Sequence, residues 1–228
     1  MLFYQPQKGY CFNSDSMFLY NFIASYYPKG RLLDVGCGVG VIGLLLARDF
    51  DIELTMIEKQ DIMVELAQKN ININKIKAEL IKCDFLKFKT TKPFDFIVSN
   101  PPFYHPDVIQ SQNNHINICR YNTHLPIEPF FKKVSSLLSN RGHFIFCYDA
   151  SQLPDLLENL NKVSLRAEEI QMVHPKKDRI AKLVMIHARK NSKARVKVLP
   201  PFIVFKGENY SMEAEEIFKR ARTYTIKC

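Results

Sequence analysis

The motif Asn100-Pro101-Pro102-Phe103 combines residue types that could hold a planar amine, such as the amino edge of a nucleobase. The apolar run over residues 94–99 predicts a buried strand that must end here, because proline cannot donate a hydrogen bond to a sheet. The amide side chain offers a carbonyl acceptor, the next residue leaves its own carbonyl free, and the phenyl ring offers a flat apolar face. A strand followed by an ordinary Pro-Pro turn is the alternative interpretation.

Three further predicted strands, over residues 31–35, 53–57 and 78–83, also contain or precede an acidic residue at their carboxyl ends. Parallel strands end at the same edge of an open α/β sheet, and ligands bind at that edge. The acid after the second strand could accept hydrogen bonds from ribose hydroxyls, and the acid after the third could accept from an adenine amino group. The sequence therefore predicts a site formed by Asp34, Glu58, Asp84, Phe85 and Asn100.

The glycine-rich segment Gly36-Cys37-Gly38-Val39-Gly40 separates the first of these strands from an apolar helix predicted over residues 41–48. A strand, a glycine loop and a helix in this order present backbone N–H groups and a helix N terminus to a ligand. The glycines allow the ligand to lie against bare backbone. The spacing Gly38-x-Gly40-x-x-Gly43 also matches the dinucleotide fingerprint, so a nicotinamide-type cofactor is the competing interpretation.

Composition indicates one globular domain over residues 1–228, with 46% hydrophobic and 24% charged residues. No run approaches the roughly 20 apolar residues of a membrane helix, and the first residues lack the features of a signal peptide. The six cysteines are scattered and have no zinc-site spacing, which favours reduced thiols. We therefore expect a cytoplasmic monomer without a metal and without a membrane association.

The net charge of +9 predicts a polyanionic partner, because clustered Lys and Arg side chains bind phosphates. Residues 171–206 contain ten Lys or Arg residues and a single acid, within a basic C-terminal part over residues 164–228. Two strands are predicted over residues 165–173 and 181–188, joined by a basic connector. The candidate nucleic-acid contacts are Lys176, Lys177, Arg179, Arg189 and Lys190, together with Arg120.

Two other regions carry weaker signals. Residues 1–30 are interpreted as a polar and aromatic leader followed by a helix, with Ser14 or Asp15 as the N-cap and a ligand contact as the alternative role of Asp15. The polar loop over residues 104–123 is long enough to be a lid or binding loop. Its histidines, His105 and His115, are either catalytic or simply solvated.

The pattern Asp34-x-Gly36-x-Gly38-x-Gly40 resembles the first motif of class I S-adenosylmethionine-dependent methyltransferases. The resemblance implies a Rossmann-like α/β fold: a mostly parallel seven-stranded sheet with an antiparallel C-terminal hairpin and helices on both faces. It implies S-adenosyl-L-methionine as the cofactor, with one acid near the methionine part, the next holding the ribose and the third contacting adenine. The implied cofactor residues are Asp34, Gly36, Cys37, Gly38, Gly40, Glu58, Lys59, Asp84, Phe85 and Asn100.

Asn100-Pro101-Pro102-Phe103 resembles the fourth motif of amino-group methyltransferases, although tyrosine is commoner at the last position. Four flanking stretches, at 5–19, 120–123, 173–181 and 208–211, are similar to bacterial tRNA (adenine-N6)-methyltransferases that modify the adenosine next to the anticodon of a valine tRNA. This resemblance implies tRNA as the partner and adenine N6 as the acceptor. The alternatives are a protein glutamine N5-methyltransferase, an rRNA or DNA adenine-N6 methyltransferase, and a non-catalytic RNA-binding protein of this fold.

Overall fold

The computed structural model describes residues 1–7, 11–101 and 126–228, in which thirteen strands and six α-helices form. The strands are β1 Leu2–Gln5, β2 Gly30–Val35, β3 Ile52–Glu58, β4 Ala78–Lys82, β5 Phe94–Ser99, β6 Leu138–Asp149, β7 Leu165–His174, β8 Leu183–Lys190, β9 Lys197–Val198, β10 Phe202–Ile203, β11 Phe205–Lys206, β12 Asn209–Tyr210 and β13 Tyr224–Lys227. The helices are α1 Ser14–Ala24, α2 Val41–Asp49, α3 Asp61–Asn74, α4 Ile127–Leu137, α5 Leu153–Lys162 and α6 Met212–Ala221.

The central sheet has the strand order β10-β7-β8-β6-β5-β2-β3-β4 in the described part of the chain, and β9 also pairs with β7. Strands β2 to β6 pair in parallel, whereas β8 is antiparallel to both β6 and β7. The predicted seven-stranded, mostly parallel sheet with an antiparallel C-terminal hairpin is therefore confirmed. The two-residue strands β9 and β10 extend it at the edge beyond β7.

Helices cover both faces of this sheet because its strands are apolar on both sides. One core contains side chains of α1, α2 and α6, and the other contains side chains of α4 and α5. Strand residues alternate between the two cores, so that Leu33 and Val35 face the second core and Leu32 faces the first. The same alternation turns Asp34 toward α2, and this orientation determines its role in the site.

Asn13 is the N-cap of α1, and its side-chain oxygen accepts a hydrogen bond from the backbone N–H of Asp15 at 3.2 Å. The prediction of Ser14 or Asp15 as the cap is wrong by one or two residues, because both lie inside the first helical turn. Asp15 therefore has a side chain that is not used for capping and instead accepts a hydrogen bond from Asn13 Nδ2. Burial raises the pKa of Asp15 above its usual value.

Strand β1 was not predicted from the leader, and it pairs in parallel with β13. Two asparagines on one face of α3 hold it in place. Asn70 accepts from Tyr4 N at 2.7 Å and donates to Tyr4 O and to Val39 O in the glycine loop. Asn74 accepts from Leu2 N and donates to Leu2 O. Because Asn70 bonds both chain segments, it links the N-terminal strand to the glycine loop.

We expect Asn70→Ala to lower the free energy of unfolding by about 2–4 kcal/mol, since it leaves buried backbone groups without partners. Asn70 is fully buried, and three hydrogen bonds to its side chain would be lost. Urea unfolding followed by circular dichroism measures the change. Asn72→Ala is the matched control on the same helix, because that side chain is exposed and contacts only Gln68. Equal effects of the two substitutions would contradict the prediction.

Candidate active site

Asn100 directly follows β5, at the carboxyl edge of the sheet, and its amide is hydrogen-bonded on both sides. Parallel pairing brings Ser99 opposite Phe146, so that Asn100 lies beside Cys147. The Cys147 thiol donates to Asn100 Oδ1 over 3.0 Å, and Asn100 Nδ2 donates to Ser16 Oγ over 3.3 Å. The side chain predicted to act on an amine is therefore fixed between β6 and the first turn of α1.

A pocket opens beside Asn100 and extends under the glycine loop. Gly36 and Gly38 have φ values of +66° and +56°, and a Cβ atom built on either meets no atom within 4 Å. The glycines therefore permit a left-handed backbone and leave open space against it. The pocket is lined by Phe12, Ser16, Asp34, Gly36, Cys37, Gly38, Val39, Val41, Ile42, Met63 and Asn100.

Asp34 lies beneath this loop rather than at its rim, and only 1% of the residue is exposed. Its Oδ2 accepts a hydrogen bond from Gly43 N at 2.9 Å, which anchors the start of α2 to β2. Burial raises the pKa of Asp34 to about 7; the hydrogen bond from Gly43 opposes this rise, and the nearby charge of Glu58 adds to it. The carboxyl group therefore titrates close to neutral pH.

Glu58 ends β3, and its carboxylate joins the glycine loop to the start of α3. Oε2 accepts from Gly38 N at 3.0 Å, while Oε1 accepts from Lys59 N and Gln60 N at 2.8 and 2.9 Å. A carboxylate oxygen has two acceptor sites, so Oε2 retains one for a ligand hydroxyl. The Lys59 side chain is exposed at the same edge.

Asp84 follows β4 and caps a short 3₁₀ turn over Phe85–Lys87 by accepting from Leu86 N at 2.9 Å. Phe85 is 5% exposed and packs edge-on against Phe130 of α4, with ring centroids 5.5 Å apart. The structure thus brings Asp84 to the predicted edge, but Phe85 belongs to the core and exposes little ring surface to a base.

These features fit S-adenosyl-L-methionine. The open glycine faces match a cofactor that lies against backbone, and the carboxylates of Asp34 and Glu58 match its positive charges and its ribose hydroxyls. The sequence profile of the methyltransferase small-domain family matches residues 12–147, more than half of the chain. The chain belongs to this methyltransferase family. Its cofactor is S-adenosyl-L-methionine, as the comparison of family and fold predicted.

Curated relatives of the methyltransferase have several names. A tRNA1(Val) (adenine(37)-N6)-methyltransferase of Bacteroides thetaiotaomicron is 32% identical over 53% of this chain and 52% of its own. The protein of the same name in Cytophaga hutchinsonii is 24% identical over 82% of this chain and 80% of its own. A release factor glutamine methyltransferase of Flavobacterium psychrophilum is 29% identical over 58% of this chain and 51% of its own. The chain thus spans about half the length of two of these three relatives.

Solved structures share the fold of the methyltransferase. A predicted O-methyltransferase from Agrobacterium tumefaciens superposes with a TM-score of 0.70 at 17% identity, over 93% of this chain and 99% of that chain. A magnesium protoporphyrin IX methyltransferase from Synechocystis with bound S-adenosylmethionine has a TM-score of 0.57 at 14% identity, over 78% and 80% of the two chains. At these identities the likeness establishes the class I methyltransferase fold alone.

The basic residues of the methyltransferase divide between opposite edges of the sheet. Leu183 pairs with Asp149, three residues beyond the partner of Ser99, so the turn over residues 174–182 projects about 10 Å past the carboxyl edge at roughly 3.3 Å per residue. This basic turn contains the exposed residues Lys176, Lys177 and Arg179.

Arg189 and Lys190 lie at the other edge and are not part of this surface. Arg189 pairs with His143, which pairs with Phe96 near the start of β5. The Arg189 guanidinium donates to Arg141 O at 3.0 and 2.8 Å, and Lys190 Nζ donates to Leu138 O at 2.9 Å. Grouping them with the basic turn was an error of the sequence analysis, because an antiparallel strand carries neighbours in sequence to opposite edges.

Several predicted residues lie outside the described residues: Pro102, Phe103, Arg120, His105 and His115. Pro101 is the last described residue before that gap and is buried. Among the described residues, none of the helices has the length and apolar character that crossing a lipid bilayer requires. In the same part of the chain no three His, Cys, Asp or Glu side chains are grouped as metal ligands.

Sequence reasoning missed Phe12, Ser16 and Cys147, which line the pocket or contact Asn100. These residues come from the N-terminal segment and from β6, distant in sequence from the glycine loop. No local pattern marks them, because their role depends on α1 packing over the ends of β5 and β6. The spacing of Asn70 and Asn74 by four residues on a helix was the one local signal available for the missed N-terminal contacts.

Proposed function

We propose that this methyltransferase transfers a methyl group from S-adenosyl-L-methionine to the exocyclic N6 of an adenosine in tRNA, with an anticodon-loop adenosine as the expected target. The observation that carries the proposal is the Asn100 amide, held by Cys147 and Ser16 beside the glycine-loop pocket. The names of the Bacteroides and Cytophaga relatives support adenine N6 and tRNA as the acceptor.

Adenine N6 is a weak nucleophile because its lone pair is delocalised into the ring. Asn100 Oδ1 and the Pro101 carbonyl oxygen would accept the two N6 hydrogens and stabilise the positive charge that develops as N6 pyramidalises. These dipoles are fixed before the reaction, so they act on the transition state more than on the ground state. The cofactor supplies an electrophilic methyl group on its sulfonium sulfur. The N6 proton leaves to solvent, and no strong base is needed because alkylation makes it acidic.

The remaining site residues are proposed to bind and orient the two substrates. Asp34 and the loop Gly36, Cys37, Gly38 and Gly40 would hold the methionine part of the cofactor. Glu58 and Lys59 would hold the ribose, and Asp84 with Phe85 the adenine. Pro102 and Phe103 would complete the corner and stack on the target base, which contributes about 1–3 kcal/mol by typical aromatic–base contacts.

Incubation with methyl-labelled S-adenosylmethionine and total bacterial tRNA, followed by digestion to nucleosides, tests the proposal. We expect label in N6-methyladenosine. Label in rRNA or DNA alone would transfer the activity to those substrates. Label in a protein glutamine would favour the activity named for the Flavobacterium relative. No label in any acceptor would favour a binding protein of this fold.

Replacing two lysines of the basic turn should weaken tRNA binding. We expect Lys176→Ala/Lys177→Ala to raise KM for tRNA about tenfold and to reduce the salt dependence of binding by about one unit of slope per phosphate contact. The exposed residues Lys193 and Arg195 provide a control, since they follow β8 at the opposite edge and their replacement removes the same charge. Equal losses in the two variants would show that overall charge, not the turn, governs binding.

The affinity for S-adenosylmethionine should rise between pH 6 and pH 8 because of Asp34. Burial raises the pKa of Asp34 to about 7, so the ligand-free protein holds this carboxyl mainly neutral below that pH. Ionisation above it supplies a negative charge for the positively charged cofactor. Isothermal titration of wild type and Asp34→Asn measures the effect. The amino group of the cofactor titrates in both proteins, so the difference between their pH profiles belongs to Asp34. Parallel profiles would contradict the prediction.

A single domain over residues 1–228, a monomeric state and a cytoplasmic location stay predictions of the sequence. RNA contacts by Arg120 and by the loop over residues 104–123 are likewise proposed from the sequence alone. Arg189 and Lys190 are withdrawn from the proposed contacts near the active site because their side chains bind backbone carbonyls at the opposite edge.

A further inference from the structure

We propose that Cys147 and Ser16 are positioning residues that hold the Asn100 amide in the one orientation that presents a free carbonyl lone pair to the substrate amine. The inference rests on the proposed function for its catalytic consequence. Its structural content, that these two side chains set the orientation of the amide, can be tested without any turnover.

The orientation of an amide side chain depends on what each end can bond. Asn100 Oδ1 can accept two hydrogen bonds, and Nδ2 can donate two. Cys147 Sγ is 3.0 Å from Oδ1 and can act there only as a donor while it carries its proton. Ser16 Oγ is 3.3 Å from Nδ2 and accepts from it. This arrangement occupies one lone pair of Oδ1 and leaves the other for a substrate N–H group.

The reversed amide would be wrong for the reaction. It would turn its NH₂ group toward the substrate amine, so that two donors would face each other. It would also place the NH₂ group against the Cys147 thiol, which is a poor acceptor. A protonated thiol at this position therefore favours the reactive orientation over the reversed one.

The thiol is kept protonated by its surroundings. Cys147 is 1% exposed and lies in the core between β6 and α1. Burial raises the pKa of Cys147 well above its usual value, and the Asp15 carboxylate adds to the rise. The group therefore remains a donor throughout the neutral range and does not serve as a nucleophile.

Ser16 is held as firmly as the thiol. It is 4% exposed in the first turn of α1, whose N terminus is capped by Asn13. The two partners thus come from separate elements, β6 and α1, which pack together over the end of β5. The Asn100 amide is oriented only when both elements are in place.

Three substitutions of Cys147 separate hydrogen bonding from packing. Serine retains a donor in a smaller side chain, valine retains the volume without a donor, and alanine lacks both. We expect Cys147→Ala and Cys147→Val to lower kcat about tenfold with both KM values within about twofold, as loss of one orienting hydrogen bond would do. We expect Cys147→Ser to retain at least about half of the wild-type kcat. Cys228→Ala, which removes an exposed thiol, should change nothing.

The readout without turnover is the side-chain amide signal of Asn100 in ¹⁵N-resolved NMR spectra of the ligand-free protein, assigned by its loss in Asn100→Ala. We expect Cys147→Ala, Cys147→Val and Ser16→Ala to shift this signal, and Cys147→Ser to keep it near its wild-type position. An unshifted signal in Cys147→Ala and Cys147→Val overturns the proposal. Rescue by valine instead of serine also overturns it, because that pattern indicates packing.

The two readouts keep the proposals apart. If the wild-type protein forms no N6-methyladenosine, the proposed function fails, and the NMR signals still decide whether Cys147 and Ser16 orient the amide. If the wild type is active and Cys147→Val equals it in kcat, the proposed function stands and the positioning role is overturned. Thermal melting of each variant ensures that the comparison is made on folded protein.

Discussion

Asn100→Ala is expected to lower kcat about 10²–10³-fold, the usual loss when one preorganised hydrogen-bonding group is removed from a polar transition state. The amide sits at the carboxyl end of β5 between Cys147 and Ser16, beside the pocket under the glycine loop. Its removal leaves the developing charge on the amine without one of its two acceptors. Single-turnover methylation at saturating cofactor and tRNA measures the loss.

Cofactor affinity separates this chemical role from a structural one. Only one of the pocket-lining side chains changes in Asn100→Ala, so the dissociation constant of S-adenosylmethionine should stay within a few-fold of wild type. A large loss of cofactor binding would instead assign Asn100 to the architecture of the pocket. Asn72→Ala, an exposed asparagine on α3, is the control and should leave both kcat and affinity unchanged.

Gly38→Ala is expected to weaken S-adenosylmethionine binding at least about tenfold, equivalent to about 1.4 kcal/mol. The added methyl group would project into the open space beside the loop that the cofactor is expected to fill. In addition, φ at Gly38 is +56°, and a side chain in that region costs about 1–2 kcal/mol. The backbone N–H of Gly38 also donates to Glu58, so a shift of the loop would disturb the carboxylate proposed to hold the ribose.

Gly207→Ala distinguishes occupation of the pocket from backbone strain. Gly207 has a φ of +68° and also has no atom within 4 Å of an added Cβ, but it lies in the turn between β11 and β12. Its substitution imposes a similar strain away from the pocket. We expect both variants to lose similar unfolding free energy while only Gly38→Ala loses cofactor affinity. Equal affinities in the two variants would mean that the cofactor does not lie against Gly38.

The local patterns of the chain were sufficient to predict the sheet and the edge at which the site lies. Apolar runs predicted β2 to β5, and the polar residues that follow them mark their carboxyl ends. The strand, glycine loop and helix around Gly38 depend on neighbours in sequence, so their geometry could be predicted without the fold. The family followed from the same residues, because the glycine loop and the Asn100 motif occur together.

Contacts between distant segments could not be predicted in this way. Strand β1 pairs with β13 across nearly the whole chain, and the two-residue strands β9 and β10 lack any periodic signal. The cap of α1 was placed one or two residues late because asparagine, serine and aspartate all suit that position. Asn13 is distinguished only by its extended backbone, with φ −119° and ψ −173°.

The sequence by itself determined the class I methyltransferase fold, the cofactor and the position of Asn100 at the end of a strand, because these follow from local spacing and residue type. Only the tertiary structure decided which side chains act together. It buried Asp34 under α2, moved Arg189 to the opposite edge from Lys176, and joined Cys147 and Ser16 through Asn100. The physical reason is that strand direction, register and helix packing set these distances, and none of them is encoded by neighbours in sequence.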